Sequence, residues 1–510
     1  MIVSKFRSHR LYPWLACLLS AALNVSIFPR IDFTWLAFVC MVPLFSLIED
    51  RTPQKLFGFF WLSGFLFQLG NLYWIYLVIQ HYSSLPVLLC VGILILLCLV
   101  LALFWGVFGF VSGFLRNRLG LAVALLLSPF LWTSLEWARN QITQFPWCLL
   151  GYSQYTHLRL AQLASFAGIY GLSGLIVAFN ASIIMSIVLR KYYYTTVCVA
   201  IAAGVSLYGH FRIQQHIEGP VVRAGLIQGN IPQDVKLDFS FADEVHQKHL
   251  RMTRELILKD KPDVIFWSEA ATLFPIRQGG LWTSQLQHLV RTSRIPLILG
   301  SDTVQKGEVF NSAYLVTETG DITAQYDKVY LVPFGEFVPL KNIFSFAGKL
   351  IPEISDFSPG TYYEPFVVHG EKVSVNICFE VVFPQLSREF CRRGAGLLST
   401  ITNDAWFGHT SAPHQHFAMS VMRAIENRRY LVRAANTGIS GFVDPYGRIL
   451  QRTELFVPAA ITGEVRWNHE TTFYTRYGDW FVYLSLFLCG KAIVIALFIG
   501  RSRNRIESGL

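Results

Sequence analysis

Three residue types that together can carry nucleophilic catalysis stand at the ends of separate apolar segments in the C-terminal half of the chain. "SVNICFEVVFP" (374–384) holds Cys378, with Glu380 two residues later. "DVIFWSEA" places Glu269 after four apolar residues and a serine. "TAQYDKVYLVPFGEFVP" places Lys328 at the end of an apolar–polar segment, with Glu336 eight residues on. A nucleophilic cysteine needs a base and an electrophilic partner for the oxyanion it generates. Glu and Lys supply those chemistries. Active-site residues of α/β folds gather at the carboxyl ends of strands. Cys378 lies at such an end, just before a helix predicted from near Pro384, where a helix N-terminus or a cation can stabilise a thiolate.

Taken singly, each residue has an ordinary alternative. Cys378 can be an apolar filler, Glu269 a cap or ion-pair member, Lys328 a surface lysine and Glu336 a loop brace. Cys391, in "REFCRRGA", reads as a helix residue packed on a sheet. His414 and His416, in "SAPHQHF", are metal-ligand types with no second ligand cluster nearby, so no metal is expected. The order Glu, Lys, Cys within one domain is what gives the set weight.

The elements that must position these residues are of two kinds. The chain of 510 residues is 53% apolar and only 15% charged, too apolar for an ordinary soluble protein. Residues 1 to about 212 are mostly long apolar runs, with candidate spans near 11–28, 32–49, 56–79, 85–115, 120–137, 160–189 and 193–211. The first two are short and close, predicting a tight helical hairpin. Glu136, Arg139 and "TQFPWCLLGYSQ" interrupt the pattern. One further apolar run, about 480–499, lies near the C-terminus. Nine cysteines show no CxxC or metal-type spacing, which argues against a disulfide framework.

From about Val221 to Trp467 the texture changes. "VVRAGLIQGN", "DVIFWSEA", "IPLILGSD", "KVSVNICFE" and "GLLSTITND" read as buried strands. "DEVHQKHLRMTRELIL", "LWTSQLQHLVRTS" and "SAPHQHFAMSVMRAIENRRYLVRAAN" carry helical spacing. "TETGDI" and "VDPYGR" read as hairpin turns. The expected architecture is a polytopic α-helical membrane domain of about eight transmembrane helices, joined to an extracytoplasmic α/β sandwich. The expected boundaries are 1–212 for seven helices, 220–470 for the α/β domain and 479–500 for the last helix.

The formal net charge of +10 reflects loop lysines and arginines; no basic run with interleaved aromatics suggests a nucleic-acid partner. Lys5, Arg7 and Arg10 precede the first span. Arg51 and Lys55 follow the second, Arg116 and Arg118 the fourth, Arg190 and Lys191 the sixth. Arg501, Arg503 and Arg505 follow the last. The positive-inside rule then puts both termini in the cytoplasm and the α/β domain outside it.

The order Glu–Lys–Cys resembles the nitrilase (carbon–nitrogen hydrolase) superfamily, whose fold is an αββα sandwich. "LIQGNIPQ", "WSEAA", "FNSAYLV", "YDKVYLVPFGEFVP", "NICFE", "TNDAWFG", "RAIENRRYLVRAANTGISG", "TFYTRYGDWF", "LEWARN" and "FPWCLLGYSQ" together resemble the apolipoprotein N-acyltransferase family across essentially the whole chain. The resemblance implies transfer of an acyl chain from a membrane phospholipid, typically phosphatidylethanolamine, through a cysteine thioester. The acceptor is the α-amino group of the N-terminal diacylglyceryl-cysteine of a lipoprotein. It implies a multi-pass protein of the bacterial inner membrane with a periplasmic catalytic domain, and no cofactor. By motif position Cys378 is the nucleophile, Glu269 the general base and Lys328 the oxyanion stabiliser, helped by the backbone N–H of Phe379. Glu336, Glu380 and Asn311 are supporting residues. Leu237 stands where the family often has Trp. Apolar residues after Lys328, Phe344 and Phe346 among them, suggest a lipid-facing lid. The rival readings are a membrane-anchored amidase or nitrilase acting on a small amide, and a transporter or receptor with a degenerate outer domain.

Overall fold

Segments embedded in hydrocarbon must satisfy their backbone N–H and C=O groups internally, so they form helices. The computed structural model describes residues 9–333, 335–337 and 356–507, the last eight of these by backbone only. Among the described residues, five helices are long and apolar enough to cross a membrane: Val87–Leu119, Leu121–Thr143, Ala164–Leu189, Tyr193–Arg212 and Trp480–Ile499. A sixth span results if Pro53–Leu72 and Trp74–Tyr82, bent by 53° to one another, count as one. The first expected span is the 15-residue helix Tyr12–Ser26.

The second expected span, 32–49, is not one helix. It forms a 3-10 turn, Thr34–Phe38, and a single helical turn, Val42–Phe45, which starts at a proline-compatible position. The broken backbone finds its partners in side chains. Asn180 donates to the Ala37 carbonyl at 2.8 Å and accepts from the Met41 N–H at 2.8 Å. Ser20 donates to the Cys40 carbonyl at 2.7 Å. Non-helical backbone is tolerated in a membrane-type bundle when such partners are buried with it. The expected eight crossings are therefore not reached by length and apolarity among the described residues.

Glu136 and Arg139 have a comparable role. Both are buried; Glu136 accepts from the Leu150 N–H at 2.9 Å and Arg139 donates to the Trp147 carbonyl at 2.8 Å. They hold the irregular "FPWCLLGYSQ" stretch. Close helix approach comes from small residues: a Cβ on Gly109 would lie 2.7 Å from the Leu56 carbonyl oxygen. This helical unit comprises residues up to Tyr76, Val87–Ile213 and the residues from Tyr477 onward.

The second unit comprises Leu77–Pro86 and Gln214–Arg476. Its described strands are β1 Val221–Gln228, β2 Val264–Trp267, β3 Leu297–Gln305, β4 Glu308–Val316, β5 Ile322–Asp327, β6 Phe366–Val368, β7 Glu371–Val373, β8 Asn376–Ile377, β9 Leu397–Thr402, β10 Tyr430–Ala435, β11 Gly441–Val443, β12 Ile449–Arg452 and β13 Ala459–Arg466. They form two sheets, β13-β1-β2-β3-β4-β5 and β12-β11-β10-β9-β7-β6, with β8 paired to β9. β1, β2 and β3 are parallel, as are β9 and β10. β2 and β9 are buried along their whole length and β1 from Ala224 onward, as covered parallel strands must be. "TETGDI" and "VDPYGR" turn the β4–β5 and β11–β12 hairpins.

Helices Ala242–Asp260 and Leu281–Ser293 cover the first sheet. Leu250, Leu256, Leu286 and Leu289 pack with Ile227, Ile265, Trp267 and Leu299. The sheets meet face to face where a Cβ on Gly463 of β13 would lie 2.6 Å from the Phe442 ring of β11. Two details differ from expectation. "KVSVNIC" is split into β7 and β8. The helical pattern in "SAPHQHFAMSVMRAIENRRYLVRAAN" stops at Asn427, where Arg428 takes a left-handed conformation, and "YLVRAA" becomes the buried strand β10. Continuous apolar burial outweighed the helical spacing there.

Candidate active site

β5 runs in the direction of β3, since each is antiparallel to β4. The carboxyl ends of β1, β2 and β5 in one sheet, and of β8, β9 and β10 in the other, therefore carry the residues that follow them: Asn230, Glu269, Lys328, Cys378, Asn403 and Asn436. Asn436 joins the two sheets. Its backbone carbonyl accepts from the Asn230 N–H at 2.9 Å, and its amide donates to the Ile231 carbonyl at 2.7 Å and to Asn403 at 3.0 Å.

Glu269 sits in a tight turn after β2, followed by Ala270 at φ 44°. That turn lies against β3 at Gly300, where a Cβ would come 2.6 Å from the Ala270 nitrogen. Both carboxylate oxygens are held: Oε1 accepts from Asn311 at 2.8 Å and Lys328 at 3.2 Å, and Oε2 from the Asn403 N–H at 2.8 Å. Lys328 is 1% exposed. It bridges Glu269 and Glu336, the latter at 2.8 Å. Asn311 also spans both carboxylates, donating to Glu336 at 2.9 Å. Its backbone carbonyl accepts from the Lys328 N–H at 2.8 Å. Burial would push the Glu269 carboxyl up, but Lys328, Asn311 and Lys236 outweigh it and hold it below the ordinary value. Burial disfavours the charged Lys328, and its two carboxylates more than reverse this, so its pKa lies above the usual range.

Cys378 opens a 3-10 turn, Cys378–Val382, in a left-handed conformation at φ 50°. A non-glycine residue adopts this only where its surroundings impose it. Two contacts do so. The Glu380 carboxylate accepts from the Ile377 N–H at 2.8 Å with one oxygen. With the other it accepts from the Tyr326 hydroxyl and the Val329 N–H, each at 2.7 Å. It thereby ties the segment after Lys328 to the segment before Cys378. The Cys378 carbonyl in turn accepts from His416 Nε2 at 3.1 Å. A carbonyl can only accept, so the ring carries its proton on Nε2. His416 is fully buried between Asp404, at 3.0 Å from Nδ1, and Arg433, which donates to Asp404 at 2.9 Å. Burial and Arg433 lower the His416 pKa, which favours the neutral ring.

Burial, and the Glu269 charge with it, push the Cys378 thiol well above its ordinary value, while Lys328 pulls it down. The protonated thiol is therefore the favoured form. The ring of Phe379 packs edge-on to Phe383, with centroids 5.2 Å apart. Phe344 and Phe346 lie outside the described residues. The described residues contain no group of three or more His, Cys, Asp or Glu side chains able to hold a metal ion.

Sequence reasoning gave no role to Lys236, Asn403 or His416. Lys236, on the short helix Gln233–Leu237, donates to the Glu269 backbone carbonyl at 2.9 Å. Its segment, "NIPQDVK", follows the end of β1 as "SE" follows β2 and "ND" follows β9, but its partner lies 33 residues away. His416 was weighed as a metal ligand, and instead it positions the Cys378 backbone.

Two family models match the chain: the apolipoprotein N-acyltransferase N-terminal domain over residues 20–182, and carbon–nitrogen hydrolase over residues 223–468. The chain is 37% identical to an apolipoprotein N-acyltransferase of Geobacter metallireducens, covering 96% of this chain and 95% of that one. It is 32% identical to that of Nitrosomonas europaea over 89% and 91%, and 31% identical to that of Shewanella oneidensis over 96% of both. A helical N-terminal part and a two-sheet carbon–nitrogen hydrolase fold, matched along almost their full length, mean that this chain belongs to the apolipoprotein N-acyltransferase family.

Proposed function

We propose that the chain acylates the α-amino group of diacylglyceryl-cysteine at lipoprotein N-termini, in two half-reactions through a Cys378 thioester. In the first, Cys378 Sγ attacks the ester carbonyl of a membrane phospholipid while Glu269 takes the thiol proton. Lys328 and the Phe379 N–H stabilise the oxyanion. The tetrahedral adduct collapses, the glycerol oxygen leaves with the proton from Glu269, and a lysophospholipid departs. In the second, the neutral α-amine attacks the thioester, Glu269 takes its proton and returns it to sulfur, and the amide forms. Glu336 and Asn311 hold Lys328 and Glu269 in place.

The observation that carries this reading is the buried Glu269–Lys328–Glu336 array, with Lys328 at 3.2 and 2.8 Å from the two carboxylates, on strand ends shared with a cysteine in a left-handed turn. The donor is assigned as a phospholipid, phosphatidylethanolamine by family resemblance. The location is a bacterial inner membrane, with the catalytic unit outside the cytoplasm and both termini inside. Apolar helices and the basic residues at alternate junctions support that placement.

Intact mass after incubation with phospholipid tests the chemistry. An acyl increment on Cys378, discharged by a diacylglyceryl-cysteine peptide and absent in Cys378→Ala, is expected. Full transfer by Cys378→Ala would overturn the thioester route. A membrane-impermeant thiol reagent should reach a probe at Leu258→Cys, 81% exposed, in intact inner-membrane-bounded cells. Labelling only after permeabilisation would reverse the topology.

A further inference from the structure

We infer that Lys236 binds the phosphodiester anion of the acyl donor, next to the ester that reacts; this rests on the reading of the donor as a phospholipid. The two lysines of the site differ in what they have left to offer. Lys328 is enclosed, with two carboxylates as partners. Lys236 is half-buried, and among the described residues its ammonium hydrogen-bonds only the Glu269 backbone carbonyl, at 2.9 Å. An ammonium has three donors, so two N–H groups remain. No carboxylate of the described residues lies within ion-pair distance of it. Burial pulls its pKa down to about 8, against the opposing charges of Glu269 and Asp302. A partly desolvated cation with open donors is stabilised by an arriving anion.

The surroundings select the anion's class. Leu237 and Phe239, next on the same segment, are 53% and 61% exposed. A cation followed by exposed apolar side chains matches a molecule whose phosphate adjoins acyl chains. In a glycerophospholipid the phosphate sits on the glycerol carbon beyond the acyl esters, a few bonds from the carbonyl that Cys378 attacks. Lys236 sits against the Glu269 turn, its ammonium 2.9 Å from the backbone carbonyl of the residue whose carboxylate meets Lys328. Holding the phosphate would orient the ester toward sulfur before attack. An apolar donor without phosphate gains nothing from Lys236.

The test separates binding from chemistry. Full-length Cys378→Ala protein in neutral detergent is titrated with an ether-linked phosphatidylethanolamine and with the matching ether-linked diacylglycerol, with and without Lys236→Ala. One charge-assisted hydrogen bond lost should weaken the phospholipid roughly tenfold or more and leave the diacylglycerol unchanged. Lys236→Arg should restore most of the affinity. Equal losses for both lipids would overturn the proposal, since Lys236 would then act through the Glu269 turn; so would no loss for either. A Lys236-dependent thermal shift with inorganic phosphate but no Lys236-dependent lipid affinity would overturn the lipid assignment. In the protein with Cys378 intact, the ester-linked lipid should give acyl-enzyme roughly tenfold more slowly after Lys236→Ala. If the binding difference holds while unmutated protein forms no adduct, the thioester reading fails and the phosphate contact stands.

Discussion

Replacing Lys328 by alanine removes the cation shared by two buried carboxylates. Glu269 and Glu336 would then face each other through Asn311, whose amide alone cannot compensate two charges. Breaking a buried pair by deleting one partner costs about 3–5 kcal/mol, because the remaining charge is left uncompensated. For a unit of this size that corresponds to an apparent Tm roughly 6–20 °C lower at neutral pH. The pH dependence identifies the cause. Without Lys328, burial raises the folded-state pKa of the Glu269 carboxyl above the unfolded value of about 4.3. A group with a raised folded pKa contributes stability that is present below its unfolded pKa and lost as pH rises through its folded pKa. The Tm deficit relative to unsubstituted protein should therefore be small near pH 4.5 and grow toward pH 7.5. Thermal unfolding of detergent-solubilised protein across that range measures it. Adding Glu336→Gln to Lys328→Ala should recover part of the loss and leave acylation absent. A deficit independent of pH, with no recovery in the double variant, would refute the electrostatic account.

Other outcomes follow from single contacts. Glu380→Gln replaces an acceptor of several N–H and O–H donors by an amide that must turn its own N–H₂ toward one of them; acyl-enzyme formation should fall at least about tenfold, scored by intact mass, with a loss of about 1–3 kcal/mol. Burial pushes the Glu380 carboxyl up to about 7, so unsubstituted protein should lose stability as pH rises between about 4.3 and 7, and that slope should be missing from the Gln variant's thermal profile. Gly300→Ala forces a Cβ against the Glu269–Ala270 backbone; a loss of about 1–3 kcal/mol and a fall in transfer larger than the fall in folded protein are expected, read by transfer per folded molecule. Asn180→Leu leaves the Met41 N–H and Ala37 carbonyl without their partner and should lower the unfolding temperature of the helical unit without changing the acylation chemistry, compared by thermal scan and by adduct formation.

Much of the site was legible because chemistry-bearing residues follow the carboxyl ends of apolar strands. Glu269, Lys328 and Cys378 each stand one or two positions past such an end, and the local pattern of "DVIFW" or "SVNI" suffices to see it. Asn311 could be named from its motif, but its bridging of two carboxylates arises from pairing between β4 and β5. His416 was legible only as a residue type. Its contact with the Cys378 carbonyl joins residues 38 apart, and no local spacing encodes that. Lys236 was hidden for another reason: a lysine near aspartates reads as solvated unless its neighbours across the fold are known. In the helical unit, hydropathy located the long helices well and misread 32–49, because hydropathy measures apolarity and is blind to which side chains satisfy a broken backbone. In "NRRYLVRAAN" the helical spacing of the preceding segment continued past its true end.

The contacts of Asn180 also impose an order on biogenesis. Its partners, Met41 and Ala37, precede it by 139 and 143 residues. At roughly 5–20 residues per second, about 7–30 seconds of synthesis separate the emergence of the broken segment from that of the side chain that completes it. Ser20, only 20 residues upstream of Cys40, is available at once. The N-terminal hairpin can therefore begin to fold against its own neighbour while translation continues, and it receives its final clasp only when the Ala164–Leu189 helix arrives. A nascent chain halted before residue 180 would leave the Met41 N–H and the Ala37 carbonyl without that side chain, whereas one halted after the helix has inserted would not.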